Sequence, residues 1–204
     1  MKLWYSTTSP YVRKVLVTIK HRGLEKQVEL LKIASSFDPN SPHNRDNPLG
    51  RVPALQLDNG EWLFSSLLIS EYLDHQGSAT PLIPTDESRW AVLNLHALAD
   101  GIMENTTPIM AERLLRAEPE WWISRHQQLM ERNLRSFTQL EEKLHTFGDN
   151  LNIGTITAVA VIDWWIFRQD KLGIDFAKQF PTLTAWAEKM NNKYKVLAET
   201  KPTL

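Results

Sequence analysis

The sequence changes character near residue 80, and this change restricts the chain to folds built from two dissimilar parts. Before it, short apolar strand-like runs alternate with segments of helical periodicity; after it, only helical periodicity occurs. The stretch 77–86 is rich in glycine, proline and small polar residues, as linkers are. We predict an α/β domain over residues 1–80, a linker over 81–86 and an all-helical domain over 87–204.

The first 33 residues have the pattern of a parallel strand–helix–strand unit. Residues 2–5 and 27–33 have strand character, and an amphipathic helix over 10–22 lies between them. A crossover of this length joins two parallel strands. Gly23 directly follows the basic end of the helix and is suited to the left-handed conformation that ends helices.

A hairpin and a third helix complete the predicted α/β domain. Two apolar runs, 54–57 and 61–64, flank Asn59-Gly60, the dipeptide most typical of a tight hairpin turn. Ser66 then has the character of an N-cap for a helix that ends near residue 76. The polar, proline-containing stretch 35–48 predicts a long loop.

The second part of the chain contains four helical patterns. They are a helix from near residue 87 with a kink at Pro108, a helix over 120–145 stopped by Gly148, a helix from the N-cap Asn152 through residue 167, and a helix from Pro181. The third of these is apolar nearly all round, which predicts that it is buried.

Composition excludes several classes of function. A formal net charge of −1 argues against a general nucleic-acid-binding protein. There is no cysteine, which excludes disulfides, thiolate metal sites and a protein thiol as nucleophile. The six histidines show no metal-ligand spacing, so we expect no metal. Neither a signal peptide nor an apolar run of about 18 residues is seen, which predicts a soluble cytoplasmic protein without membrane contact.

Ser9-Pro10 marks the start of the first helix. Ser9 is suited to the N-cap, and Pro10 to the first helical position, where its missing N–H costs nothing. A hydroxyl at a helix N-terminus lies in a positive potential that stabilises anions. From these two residues alone, a purely structural cap is the simpler interpretation.

Three blocks in order carry a resemblance that extends over the whole chain. They are Ser-Pro-Tyr-Val-Arg-Lys at 9–14, Asn-Pro-Leu-Gly-Arg-Val-Pro-Ala-Leu at 47–55 and Phe-Ser-Ser-Leu-Leu-Ile-Ser-Glu-Tyr-Leu at 64–73. Together with the helical second part, they resemble the soluble, cytosolic glutathione transferases, and most of all the bacterial members that use a serine. The resemblance implies a thioredoxin-like N-terminal domain (βαβ-ββα) and an all-α C-terminal domain.

The resemblance also implies a binding site for glutathione. In such enzymes the peptide bond between Val52 and Pro53 is cis, and the Val52 main chain pairs with the cysteinyl part of glutathione like an added strand. Ser66 would meet the γ-glutamyl carboxylate. Ser65 departs from the family, which has an acid there to meet the glutathione amine, so this contact is expected to be weaker. Asp100 is the candidate replacement, reaching across a dimer interface.

Ser9 acquires a catalytic role from this resemblance. A thiol has a pKa of about 8.5, and a hydroxyl donor at a helix N-terminus favours its anion. Ser9 would therefore donate a hydrogen bond to the glutathione thiolate rather than act as a nucleophile; no Gly-x-Ser-x-Gly surrounds it. The neighbouring hydroxyls of Ser6, Thr7 and Thr8 remain alternatives, although only Ser9 directly precedes the proline.

Other site residues are predicted with less support. Arg51 is suited to the glycyl carboxylate of glutathione, with Lys32, His43 and Arg45 as alternatives. The electrophile is expected to contact Tyr11, Met103, Thr107, Met110 and Trp165. For the aromatic and methionine residues of this set, packing in a core is the competing interpretation.

Asn152 and Thr155 stand at the capping positions of the buried helix, where the family commonly has Ser or Thr followed by Asp. Asn is a good N-cap. The acidic partner is missing, which predicts a less stable helix start.

The function implied is an enzyme that activates glutathione, its co-substrate, and adds it to a small hydrophobic electrophile or uses it to reduce a peroxide, as in detoxification. A glutathione-dependent disulfide reductase is an alternative, since two glutathione molecules can supply both thiols. A non-catalytic binding protein of the same fold is another, because of the departure at Ser65. The resemblance also implies a homodimer.

Overall fold

The computed structural model describes residues 1–203, which form two compact units. The first comprises Met1–Pro84 together with the segment from Lys195 onward, and the second comprises Thr85–Tyr194. The domain boundaries expected from composition, at residues 80 and 86, stay a prediction. Within residues 1–203, no helix is long and apolar enough to cross a bilayer. In the same residues no three His, Asp or Glu side chains are grouped to hold a metal ion.

The first unit contains a four-stranded mixed sheet in the order β2-β1-β3-β4. The strands are β1 (Lys2–Tyr5), β2 (Glu29–Lys32), β3 (Ala54–Gln56) and β4 (Trp62–Phe64). β1 pairs with β2 in parallel, and β3 pairs with both β1 and β4 in antiparallel fashion. This confirms the predicted parallel unit and the predicted hairpin, and with them the thioredoxin-like fold.

The helices follow the predicted order with a few additions. They are α1 (Pro10–His21), α2 (His43–Asp46), α3 (Ser66–Gln76), α4 (Ser88–Leu115), α5 (Ile123–Phe147), α6 (Ile153–Leu172), α7 (Phe176–Gln179), α8 (Pro181–Lys193) and α9 (Lys195–Ala198), with a 3-10 turn at Glu118–Glu120. α4 continues through Pro108 without interruption, and the kink expected there stays a prediction.

The loop predicted over 35–48 is partly wrong, because it contains the short helix α2. Its four residues are polar and have no apolar period, so nothing local announces a helix. A distant contact helps to hold it: the Trp4 indole N–H on β1 donates to the Asp46 carboxylate at 2.7 Å. The helix is thus attached to the sheet by a residue 42 positions away.

One face of the sheet packs against α1 and α3 to form the core of the first unit. Leu3 of β1 and Leu55 of β3 are fully buried there. They pack in one cluster with apolar side chains from both helices, which are Val15, Ile19, Ile69 and Leu73. Each buried side chain of this kind contributes about 1.5–3 kcal/mol, so the cluster fixes both helices on the sheet.

Packing around α6 forms the core of the second unit, as its apolar pattern predicted. Residues 153–165 are all buried. Trp165 packs edge-on against Phe137 of α5, with ring centroids 4.9 Å apart, and its indole N–H donates to Thr106 of α4 at 3.1 Å. Phe176 lies on the same Phe137 ring at 5.0 Å. The second unit is therefore an all-helical domain with an aromatic centre.

The start of α6 is better capped than the sequence suggested. The Asn152 side chain accepts from the Thr155 N–H at 3.0 Å, as predicted for the N-cap. The Thr155 hydroxyl in turn accepts from the Asn152 N–H at 3.0 Å, which completes a reciprocal capping box. Thr155 thus supplies the bond that the missing acid would make.

We expect Asn152→Ala to lower the free energy of unfolding by about 1–2 kcal/mol, because it removes the N-cap of a buried helix. Asn152→Ser keeps a capping oxygen and is expected to retain most of the stability. Urea unfolding followed by circular dichroism measures both variants. Equal stability of Asn152→Ala and the unsubstituted protein would show that tertiary packing alone sets the start of α6.

Candidate functional site

The strand register brings three loop segments to one end of the sheet. Trp4 of β1 pairs with Ala54, the first residue of β3, and Ala54 pairs with Phe64, the last residue of β4. Because these pairs are antiparallel, the end of β1, the start of β3 and the end of β4 lie side by side. The segments that leave the sheet there are 6–9, 51–53 and 65–66. Parts of all three sequence blocks therefore lie at the same end of the sheet.

Ser9 is the N-cap of α1, as predicted. Its hydroxyl oxygen accepts from the Val12 N–H at 3.3 Å, and its side chain is half-buried. Within residues 1–203 the Ser9 hydroxyl donates no hydrogen bond of its own. The proton of this hydroxyl is therefore available to an anion at the positive end of the helix.

The neighbouring hydroxyls of Ser6 and Thr8 are used differently. Ser6 Oγ and Thr8 Oγ1 lie 3.2 Å apart and share a hydrogen bond. Ser6 Oγ also accepts from the Thr8 N–H at 3.4 Å. These contacts join Ser6 to Thr8, whereas the Thr7 hydroxyl makes no hydrogen bond within residues 1–203 and remains an alternative. Ser9 is the hydroxyl at the N-cap position of α1.

The peptide bond between Val52 and Pro53 is cis, which confirms the expectation from the motif. Val52 is half-buried and lies just outside β3. In the described part of the chain, its main-chain N–H and C=O make no hydrogen bond. The loop before it is held by the buried Asn47, whose amide donates to the Arg51 carbonyl at 2.8 Å and accepts from the Leu49 N–H at 3.0 Å.

Ser65, rather than Ser66, takes the N-cap position of α3, so the predicted cap is wrong. Ser65 has φ +73° and ψ 123°, is exposed and makes no side-chain capping bond. A positive φ at a residue other than glycine costs about 1–3 kcal/mol, and such residues cluster at ligand sites. A local propensity argument cannot detect this conformation.

Ser66 begins α3 and is 6% exposed. The first hydrogen bond into this helix runs from the Ile69 N–H to the Ser65 carbonyl at 3.0 Å. The first three N–H groups of α3 are therefore unused by the helix and form, with the Ser66 hydroxyl, a set of donors at its positive end.

The basic residues predicted for the glycyl carboxylate divide into two groups. Arg51, Lys32 and Arg45 are exposed and form no ion pair within the described residues. His43 is fully buried: its Nδ1 lies 2.7 Å from the Ser41 hydroxyl, and its Nε2 has no partner in the described part of the chain. The His43 side chain is therefore enclosed at the start of α2 and does not reach the solvent, where a bound carboxylate would lie.

Burial separates the residues predicted around the electrophile. Met103, Met110 and Trp165 are buried in the second unit, where packing accounts for them. Thr107 is exposed, although its hydroxyl donates to the Met103 carbonyl at 2.8 Å. Asp100 is half-buried on α4. Thr107 is thus the member of this set with solvent-accessible surface in that unit, as is Asp100, which was predicted to meet the glutathione amine.

Tyr11 lies in the first turn of α1, two residues after Ser9, and is half-buried. The ammonium group of Lys14, a fully buried side chain, lies 5.3 Å from the centre of the Tyr11 ring. This cation–π contact holds the tyrosine ring against the helix.

The architecture combines a thioredoxin-like unit, which has a cis-proline loop beside a serine-capped helix, with an all-helical unit. Residues 8–76 match the family model of the glutathione S-transferase N-terminal domain, and residues 123–193 match that of the C-terminal domain. The uncharacterized GST-like protein YibF of Escherichia coli K12 is 32% identical over 181 residues, which are 83% of this chain and 84% of YibF.

Solved structures show the same similarity over the full length. A glutathione transferase family member from Pseudomonas fluorescens Pf-5, with bound glutathione, has 34% identity and a TM-score of 0.89 over 100% of this chain and 99% of that one. A glutathione S-transferase from Methylobacillus flagellatus KT, also with glutathione bound, has 28% identity and a TM-score of 0.88 over 99% of each chain. This chain belongs to the glutathione transferase family.

Proposed function

We propose that this protein binds glutathione at the shared end of β1, β3 and β4 and uses Ser9 to stabilise the glutathione thiolate. The thiolate then adds to a small apolar electrophile or reduces a peroxide. The proposal depends on one observation. The strand register brings the segments that contain Ser9, Val52 and Ser66 to one end of the sheet, and each of these residues has an unused hydrogen-bonding group there. The glutathione bound in the two solved relatives supports the choice of ligand.

The free groups at this edge fit the three parts of glutathione. The Val52 N–H and C=O suit the cysteinyl main chain as an added strand. The N-terminus of α3 with the Ser66 hydroxyl suits the γ-glutamyl carboxylate, because a helix N-terminus attracts anions. The exposed guanidinium of Arg51 suits the glycyl carboxylate. Bound in this way, the tripeptide directs its thiol toward the loop that carries Ser9.

The hydroxyl of Ser9 changes the ionisation of that thiol. A free thiol with a pKa of about 8.5 is only a few per cent ionised at neutral pH. A hydrogen bond from the hydroxyl and the positive end of α1 both favour the charged sulfur. Lowering the thiol pKa by about two units needs roughly 2.7 kcal/mol of differential stabilisation, which one charged hydrogen bond and a helix terminus can supply.

The reaction needs no protein nucleophile. In conjugation, the thiolate sulfur forms a bond to an electrophilic carbon, and either the leaving group departs with the bonding pair or the resulting carbanion takes a proton from water. In peroxide reduction, the thiolate sulfur attacks one peroxide oxygen, the O–O bond breaks, and the departing alkoxide or hydroxide takes a proton from water. The thiol of a second glutathione then attacks the sulfur of the sulfenic acid and releases water to give the disulfide. The protein's part is to bind, orient and ionise the thiol.

Binding is tested by calorimetric titration with glutathione. We expect Ser66→Ala to weaken glutathione binding about tenfold, because a donor to a carboxylate is lost, while the pKa of the bound thiol stays as in the unsubstituted protein. Ser70→Ala is the matched control: Ser70 is a buried serine one turn further along α3, whose hydroxyl has no partner in the described residues. Equal losses in the two variants would contradict a carboxylate site at this helix.

The exposed Ser65 gives a second test of the same site. We expect Ser65→Glu to tighten glutathione binding about threefold to tenfold, because a carboxylate can form a charged hydrogen bond with the glutathione amine. Ser78→Glu adds the same charge at an exposed position of the first unit and is expected to leave the dissociation constant unchanged. No gain with Ser65→Glu would show that the amine is bound elsewhere, with Asp100 as the predicted partner.

Three outcomes separate the remaining functions. Saturable glutathione binding with a lowered thiol pKa supports an enzyme, and a panel of aryl halides, peroxides and mixed disulfides then assigns the reaction. Binding without a lowered pKa supports a non-catalytic binding protein. Absence of binding overturns the proposal. The homodimer, the cytoplasmic location and the electrophile contacts of Tyr11 and Thr107 stay predictions.

A further inference from the structure

The last described residues of the chain return to the first unit and contact α1 and the loop before it. We name residues 195–203 the C-terminal brace. The Arg13 guanidinium of α1 donates to the Leu197 carbonyl at 2.9 Å, and the Lys20 ammonium lies 2.8 Å from the Glu199 carboxylate. The Thr203 N–H donates to the Thr7 carbonyl at 3.4 Å. The brace is thus attached along the whole length of α1 and beyond its N-terminus.

One of these attachments is buried, and the ion pairs of Glu199 lie at the surface. Leu197 is fully buried, and Arg13 is 4% exposed, so their hydrogen bond is shielded from water. Glu199 also pairs with Lys195 at 3.3 Å. Hydrogen bonds from Lys20 and then Lys195 lower the pKa of the Glu199 carboxyl below its ordinary value, so the carboxylate stays charged at neutral pH.

The attachment points lie on both sides of Ser9. Thr7 precedes Ser9 by two residues, and the Arg13 N–H donates to the Ser9 carbonyl at 3.1 Å in the first helical hydrogen bond. The capping bond of Ser9 itself, from the Val12 N–H, is long at 3.3 Å. A bond of that length constrains the hydroxyl weakly. The position of the hydroxyl therefore depends on how firmly the flanking residues are held.

We propose that the C-terminal brace sets the position of the Ser9 hydroxyl relative to the glutathione sulfur, with Arg13 as the main positioning residue through its buried hydrogen bond to Leu197 and the longer Thr203–Thr7 contact as a weaker, secondary attachment. This inference rests on the proposed function. A hydrogen bond to a thiolate weakens steeply as the donor moves away, and misplacement by about 1 Å can cost on the order of 100-fold in rate. Loosening the brace should therefore raise the thiol pKa without removing any group that contacts glutathione.

The test compares two variants of the full chain at residue 203. Thr203→Pro removes the N–H that donates to Thr7, whereas Thr203→Ala keeps it. We expect the pKa of the bound glutathione thiol to rise by about half a unit in Thr203→Pro and to stay as in the unsubstituted protein in Thr203→Ala. Ultraviolet titration of the thiolate measures the pKa. Calorimetry at a pH well below both thiol pKa values, where the bound thiol is neutral, is expected to show the same glutathione dissociation constant in both variants.

Arg13 provides an independent pair of variants. Arg13→Met removes the donor to Leu197 while keeping an unbranched chain, and Arg13→Lys keeps a charged donor. We expect the thiol pKa to rise by about one unit in Arg13→Met and by less in Arg13→Lys. In Arg13→Met, kcat at neutral pH should fall while KM for glutathione changes little. A change in folding alone would instead reduce the number of binding sites found by calorimetry.

The outcomes for the unsubstituted protein and the variants are distinct. If the intact protein does not lower the pKa of bound glutathione, the proposed function fails and the brace inference fails with it. If the intact protein lowers that pKa and both Thr203→Pro and Arg13→Met leave it unchanged, the brace inference alone is overturned. A rise in Thr203→Pro that is absent from Thr203→Ala supports it.

Discussion

Replacement of Ser9 by Ala is expected to raise the pKa of the bound glutathione thiol by about one to two units and to lower kcat/KM at neutral pH roughly 10- to 100-fold. The reason is the loss of the hydroxyl at the N-cap of α1, which donates no hydrogen bond within residues 1–203. The positive end of α1 remains, so the thiol pKa should still lie below its free value of about 8.5.

The sign of the pH effect follows from this shift. The reactive form is the thiolate, which is present above the thiol pKa and is lost as the pH falls through it. A raised pKa therefore moves the rising limb of the activity profile toward alkaline pH by the same interval. At a pH well above both values, Ser9→Ala is expected to regain most of the rate of the unsubstituted protein.

The N-cap role of Ser9 needs its own controls. Ser9→Ala also removes the capping bond to Val12 and should destabilise the fold by about 0.5–2 kcal/mol. Ser9→Gly costs only a few tenths of a kcal/mol at an N-cap but equally lacks the hydroxyl. Ser9→Thr keeps both the cap and the hydroxyl. Ultraviolet titration should show raised thiol pKa values in the Ala and Gly variants alone.

An unchanged thiol pKa in both Ser9→Ala and Ser9→Gly would show that Ser9 is only a helix cap. The proposed mechanism would then be wrong, although glutathione binding at Val52 and Ser66 would still be open to test by calorimetry. Saturation with glutathione must be demonstrated for each variant before its thiol is titrated.

The second large effect concerns stability. We expect Asp74→Ala to lower the free energy of unfolding by about 3–5 kcal/mol, because it leaves a buried arginine without its charged partner. The Asp74 carboxylate is 4% exposed, accepts from the Leu82 N–H at 2.9 and 3.0 Å and from the Ile83 N–H at 3.0 Å, and lies 3.3 Å from Arg22 Nε. Urea unfolding measures the loss.

The contacts of Asp74 explain the size of this effect. The carboxylate ties α3 to residues 82–83, and Arg22, at the end of α1, also donates to the Gly77 carbonyl. One ion pair therefore organises the segment that follows α3. Since domains are stable by only about 5–15 kcal/mol, the variant would be close to unfolding at physiological temperature.

Two comparisons make the stability prediction specific. Glu29→Gln removes an exposed ion pair with Lys2, 3.9 Å long, and is expected to change stability little. The double variant Arg22→Met/Asp74→Ala removes both buried charges and should be less destabilised than the sum of the single variants. Simple additivity would show that the two side chains do not act as a pair.

Local patterns were sufficient for much of the fold. The Ser9-Pro10 start of α1, the Asn59-Gly60 hairpin and the Asn152 cap of α6 depend on residues within four positions of one another. Intrinsic backbone preferences and capping chemistry act over that range, so the local sequence is sufficient to predict these three features. The strand–helix–strand unit was predictable for a similar reason, since a helical crossover between two adjacent strands favours their parallel pairing.

The errors have distant causes. α2 is held by a contact between Trp4 and Asp46, which no window of sequence relates. Ser65 adopts a positive φ that its own side chain disfavours, so the surrounding structure must impose it. In each case the energy that decides the conformation comes from residues outside the local segment.

The sequence by itself determined the element order, the two-part architecture and the types of chemical group at the site, because periodicity, caps and turns are local properties and the three motif blocks identify the family. Only the tertiary structure decided that the segments of Ser9, Val52 and Ser66 leave the sheet at one end, that Ser65 rather than Ser66 lies at the N-cap position of α3, and that residues 195–203 return to α1. Strand register and burial depend on contacts between residues far apart in the chain. Because the free energy of these contacts is distributed over many residues, no single segment of sequence predicts them.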